Sequence, residues 1–184
     1  MKETEGSAAR RDVPRVLIVE PSRNYLGVLA RRVSEGGFRV ATADSAAGAF
    51  AELYRQPADL VLAELRMRGT SGVELVRILR EDPVHRDVPI FLITGRSDAS
   101  GAVEAYRCGA DTVIAKPFHF EVLVARIGRE IERARAVKEL REDKAALDAR
   151  IVGRAIELGE MRERWLASEA ERQRLEQLVG KAGS

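Results

Sequence analysis

The chain alternates short apolar runs with stretches of helical periodicity. "RVLIVE" at 15–20 is almost wholly apolar, the mark of a strand covered on both faces. In "SRNYLGVLARRVSEGG", Tyr25, Leu26, Leu29 and Val33 recur at helical spacing, with Ser22 as N-cap and Gly36-Gly37 as a stop. The same rhythm returns in strand 38–43, a helix to Gln56, strand 59–64, a helix from Ser71 to Glu81, strand "PIFLIT" ending at Thr94, a helix over "SGAVEAYRC" and strand 112–115. Lys116-Pro117 then introduces a final helix. Five strands alternating with five helices predict an α/β fold, a doubly wound five-stranded parallel sheet with helices on both faces. In such sheets functional groups gather beyond the carboxyl ends of the strands, which here carry Glu20, Glu64, Thr94 and Lys116.

Composition narrows the possibilities. With 184 residues the chain has room for one ordinary domain and an appendage. The formal charge of +2 hides a balance, because acids and bases are nearly equal in number on either side of Phe118, so no nucleic-acid stripe is expected. No apolar run is long enough for membrane insertion, and the N-terminal "MKETEGSAARRDVPR" has no apolar signal core. The expectation is a soluble, cytoplasmic protein. Cys108, the single cysteine, excludes an intrachain disulfide and reads as a small packed residue. His85 and His119 have no partner at metal-ligand spacing, so no zinc or iron site is expected. No glycine-rich loop follows the first strand, which disfavours a flavin or nucleotide at the sheet's switch point.

The ordered set "VLIVE", "DLVLAELRM" with Gly72 eight positions after Glu64, "PIFLIT" and "GADTVIAKPF" resembles the receiver domain of bacterial two-component response regulators, over residues 14–131. The resemblance implies a flavodoxin-like sheet and a phosphoacceptor pocket. In that family an aspartate ending the third strand accepts phosphate, two acids after the first strand hold Mg2+, and a hydroxyl and a lysine contact the phosphoryl oxygens. Thr94 and Lys116 match, and Glu20 preserves the first acid. Pro21 replaces the second metal-binding acid, Glu64 the acceptor aspartate, Val113 the usual switching aromatic and Arg68 the usual proline. Arg66 and Arg68, near the acceptor, read as solvated, with contact to the carboxylates as the alternative.

Phosphoryl transfer depends on in-line placement and on neutralising oxygen charge, usually with a metal. Losing an acid weakens Mg2+ binding, and the extra methylene of Glu64 moves its carboxylate off line, at a cost of about 10²-fold or more in rate. No cofactor, metal or catalytic residue is therefore expected. Two readings of Glu64 stay open: a fixed, partial mimic of the phosphoryl charge, or an ordinary ion pair with Lys116 in a decayed site.

From residue 132 to 180 the chain is rich in Ala, Leu, Glu and Arg without proline, which predicts helix. A 3,4-spaced register brings Val137, Leu140, Leu147, Ile151, Leu158, Met161, Trp165, Leu175 and Val179 onto one seam, interrupted by Lys144, Arg154, Ser168 and Arg172. That seam predicts a coiled-coil homodimer. Gly153 and Gly159 each cost about 1 kcal/mol in a helix, so a break or folded-back hairpin near them is the alternative to one continuous helix. Residues 1–13 and 181–184 read as tails, and "VGKAGS" as a tapering end or a boundary within a longer chain.

The functional expectation is a non-enzymatic, phosphorylation-independent signalling or scaffold protein. It would be a pseudo-receiver binding a protein partner, whether kinase, regulator, localisation factor or cyclase. One alternative is a working phosphoacceptor at Glu64. Another is a receiver and signalling helix controlling an enzymatic output such as a nucleotide cyclase.

Overall fold

The computed structural model describes residues 13–95 and 98–182, with side chains through 174. In chain order the elements are β1 (Arg15–Val19), α1 (Arg23–Glu35), β2 (Arg39–Ala43), α2 (Ala46–Arg55), β3 (Leu60–Glu64), α3 (Gly72–Glu81), β4 (Ile90–Thr94), α4 (Ala99–Arg107), β5 (Thr112–Ala115) and α5 (Phe120–Ala182). The five strands form one parallel sheet in the order β2-β1-β3-β4-β5. This is the flavodoxin-like arrangement expected from the strand and helix rhythm.

Successive side chains of a strand point to opposite faces, and both faces here are covered. Leu17, Val19, Val61, Ala63, Ile90 and Leu92 pack into one core with residues of α2, α3 and α4. Val16, Ile18, Leu60, Leu62, Phe91 and Ile93 pack into the other with Leu29 and Val33 of α1 and Leu123, Ile127 and Ile131 of α5. The uninterrupted apolar runs of β1, β3 and β4 follow from this double burial. β2, at the edge, is more exposed and more polar.

The helices begin where the local chemistry favours it. Ser45, Ser71 and Asp98 accept the amides of Gly48, Glu74 and Gly101, capping α2, α3 and α4. Ser22 holds the N-cap position of α1 without a side-chain bond. Gly36 closes α1, and Gly37 follows at φ 89°, a conformation that favours glycine.

The chain divides into two compact units at Arg135 and Ala136. In the second unit the helix continues through Gly153 and Gly159, so the broken-helix alternative is not realised. Val137, Leu140, Leu147, Ile151, Leu158, Met161 and Trp165 are all exposed on the single chain. Val152, Ile156 and Leu166, outside the expected seam, are exposed as well and fall on the other side of the helix. The side chains of Leu175 and Val179 lie outside the described residues.

Candidate functional site

After β2 the chain returns to place β3 on the other side of β1, which opens a crevice at the carboxyl ends of β1 and β3. Glu20 lies one residue beyond β1, yet its amide still donates to the Ala43 carbonyl at 3.0 Å and so continues the ladder. Glu20 is 4% exposed. Its Oε1 accepts the Ser22 amide at 2.9 Å across Pro21, and its buried Oε2 has no hydrogen-bond partner. Glu64 ends β3. Gly72 lets α3 start against this strand end, because a Cβ there would lie 2.5 Å from the Glu64 carbonyl oxygen and 3.0 Å from Leu65 Cα.

Lys116 joins the two acids. Its Nζ donates to Glu64 Oε2 at 2.6 Å and stands 3.5 Å from Glu20 Oε2, an ion-pair distance without hydrogen-bond geometry. The ammonium also lies 4.2 Å from the centre of the Tyr25 ring, whose π face favours a cation. Burial alone would lower the lysine pKa, but the hydrogen bond and charge of Glu64, with Glu20 and Tyr25, outweigh it and raise the group above its ordinary value. Burial pushes the Tyr25 phenol up; Lys116 opposes this, while Glu20 and Glu64 add to it.

Thr94, 3% exposed, meets this group through the backbone. Its carbonyl accepts the Lys116 amide at 2.8 Å, while its hydroxyl donates to the Gly95 carbonyl at 3.5 Å. Val113 is partly buried against the core, and its amide donates to the Tyr106 hydroxyl at 3.1 Å.

Arg66 is exposed, as expected, yet it has partners. Its guanidinium grips Asp98 in two bonds of 2.5 and 2.8 Å, and its amide donates to Glu64 Oε1 at 3.3 Å. Hydrogen bonding from Arg66 holds the Asp98 carboxyl down to about 2. One residue therefore ties the acceptor position to the cap of α4. Arg68 is exposed, as expected. Tyr25 and Asp98 are the site residues that periodicity missed. Tyr25 read as part of an apolar helix face, whereas Asp98 carried a usable signal as a capping residue before a helix.

His85 is buried with its Nδ1 2.6 Å from Asp82, and His119 is exposed. Among the described residues no cluster of three His, Cys, Asp or Glu could hold a metal ion. Cys108 packs partly buried against the core, and the Arg77 guanidinium donates to its sulfur at 3.7 Å.

Residues 16–128 match the family model of the response regulator receiver domain. The chain belongs to the response regulator receiver family. The receiver is 36% identical over 137 residues to the C4-dicarboxylate transport transcriptional regulatory protein DctD of Rhizobium meliloti, covering 74% of this chain and 29% of that protein. It is 38% identical over 128 residues to the transcriptional regulatory protein AruR of Pseudomonas aeruginosa, covering 67% and 51%. The chain spans 29% to 52% of the length of the curated relatives matched first. Among solved structures, NtrX from Brucella abortus superposes with a TM-score of 0.66 at 25% identity, over 71% of this chain and 29% of that one. The signal receiver domain of a signal transduction histidine kinase from Syntrophus aciditrophicus gives 0.62 at 29% identity, over 65% and 91%. No described helix of the receiver chain is long and apolar enough to cross a membrane.

Proposed function

We propose that this receiver signals without phosphate, as a non-enzymatic cytoplasmic module that binds a protein partner and dimerises through α5. The observation that carries the reading is the 2.6 Å ion pair between Lys116 and Glu64. In a phosphate-controlled pocket the lysine meets a phosphoryl group that arrives and leaves. Here its cation is already matched by a carboxylate built into the chain, and that charge is permanent rather than transferred. Between the two readings of Glu64, the fixed mimic is supported by the link from Glu64 through Arg66 to Asp98, the N-cap of α4.

The Mg2+ that the family implies does not fit this donor set. The ion needs six oxygens in near-ideal octahedral geometry. Pro21 offers no carboxylate, Glu64 Oε2 is taken by Lys116, and Glu20 Oε2, buried without a hydrogen bond, faces the same ammonium at 3.5 Å. Like charges compete for one place, and no step of the proposed mechanism passes through the metal.

The homodimer rests on α5. Seven described seam residues are exposed along one face of the helix, an apolar stripe that a partner helix would cover. Light scattering on the full chain tests the combined reading. We expect a dimer in buffer and the same mass with acetyl phosphate and Mg2+ present; a monomer that dimerises only with the phosphodonor would refute phosphate independence.

A further inference from the structure

We propose that the outer edge of β2 and the arginine groove beside it bind an extended acidic peptide, pairing as an added strand. The groove measures about 400 Å³ and lies at the end of the sheet where the strands begin. Arg15, Arg39 and Arg55 line it together with Glu52 and with Val40 and Thr42 of the strand. Glu52 Oε2 accepts from Arg15 at 2.8 Å and from Arg55 at 2.7 Å, so one carboxylate serves two guanidiniums. Among the described residues the Arg39 Nε donates to a neutral backbone oxygen, that of Val13, at 3.1 Å. Three cations against one anion leave a surplus of two positive charges around the groove. Arg15 is itself buried, fixed to the carbonyls of Gln56 and Pro57, and so forms a rigid floor rather than a mobile surface charge.

The strand edge supplies the second element. The Arg39 amide bonds to Pro14 and the Ala43 carbonyl to Glu20, both toward β1. In a parallel strand the N–H and C=O of one residue point to the same side, and successive residues alternate. Val40 and Thr42 therefore turn their amides and carbonyls outward, and among the described residues no strand pairs with them. Such an edge is a template for strand addition, in which main-chain bonds give affinity and alternate side chains give specificity. The charge decides the occupant. A second copy of β2 would set Arg39 and Arg55 against their own kind, whereas a peptide with an acid at every second position meets them with opposite charge. This surface is separate from the Lys116 crevice, at the opposite ends of the strands, and does not depend on how that crevice is read.

Fluorescence anisotropy on the full chain tests the site with three short labelled peptides: alternating Glu and Val, alternating Lys and Val, and the Glu peptide N-methylated at alternate amides. Saturable binding of the first alone is expected, weakened about tenfold or more by Arg39→Glu with Arg55→Glu. Both arginines are exposed, and an unchanged thermal melt checks that the fold survives. If the double variant does not fold, the N-methylated peptide on the native chain decides. The proposal is overturned if the Glu peptide does not bind saturably, if N-methylation leaves binding intact, or if a single-stranded oligonucleotide of equal charge binds as well as the peptide.

Discussion

Replacing Lys116 with methionine is expected to destabilise the receiver by about 2–4 kcal/mol at neutral pH, the largest single loss available in the pocket. The substitution keeps most of the aliphatic stem and removes the charge. Glu20 and Glu64, with side chains 6% and 12% exposed, then face each other across the crevice without a cation. Breaking a buried pair on one side is costly because the remaining charge is neither solvated nor matched. Lys116 is itself about one-third exposed, so the loss falls short of that for a fully buried pair. Adding Glu64→Leu to Lys116→Met should recover part of the loss, since it removes the charge that was stranded. Urea midpoints at fixed protein concentration give both values. The pH dependence follows from the raised lysine. Its contribution is complete below the ordinary lysine range near about 10.4 and is lost as pH rises through the higher folded-state value. The native chain should weaken in that alkaline window, and Lys116→Met should not show the same drop.

Placing Asp at both Leu158 and Met161 is expected to convert the proposed dimer to a monomer, raising its dissociation constant by about 10²-fold or more. Both residues lie on the seam, at 65% and 62% exposure on the single chain, so the monomer bears the change at little cost. In the dimer each substitution buries a carboxylate where a partner's apolar side chain had packed, and the two copies double the effect. Sedimentation equilibrium reads the constant directly. A pair of Asp substitutions on the opposite face, at Glu139 and Lys138, serves as the control and should leave the mass unchanged. A native mass in the seam variant would mean that the apolar stripe of α5 is not the dimer contact.

Much of the fold could be read along the chain because its causes are local. Double burial makes β1, β3 and β4 continuous apolar runs, and serine, aspartate and glycine mark the helix ends where backbone groups need partners. The placement of Glu20, Glu64, Thr94 and Lys116 also followed from topology, since the carboxyl ends of parallel strands meet on one side of the sheet. The pairing of Glu64 with Lys116 was one of the two readings open for Glu64, but the contacts to residues outside this set were not legible. Tyr25 and Lys116 are 91 positions apart in the sequence, and nothing in an amphipathic helix distinguishes a ring packed over an ammonium from one packed in a core. The partner of the exposed Arg66 was hidden for the same reason: Asp98, the N-cap of α4, lies 32 positions away in the sequence. The helix through Gly153 and Gly159 was left open because two residues of low helix propensity cost about 2 kcal/mol together, a sum that the alanine- and leucine-rich flanks offset.

These departures converge on Glu64. A carboxylate at the end of β3, bonded to Lys116 on one side and to the Arg66 amide on the other, is already committed to the lysine that the family turns toward a phosphoryl oxygen. The most direct test of a phosphate-independent receiver is the intact mass of the purified full chain after incubation with acetyl phosphate and Mg2+. The account predicts no added phosphoryl mass; an added phosphoryl mass that disappears in Glu64→Ala would contradict it.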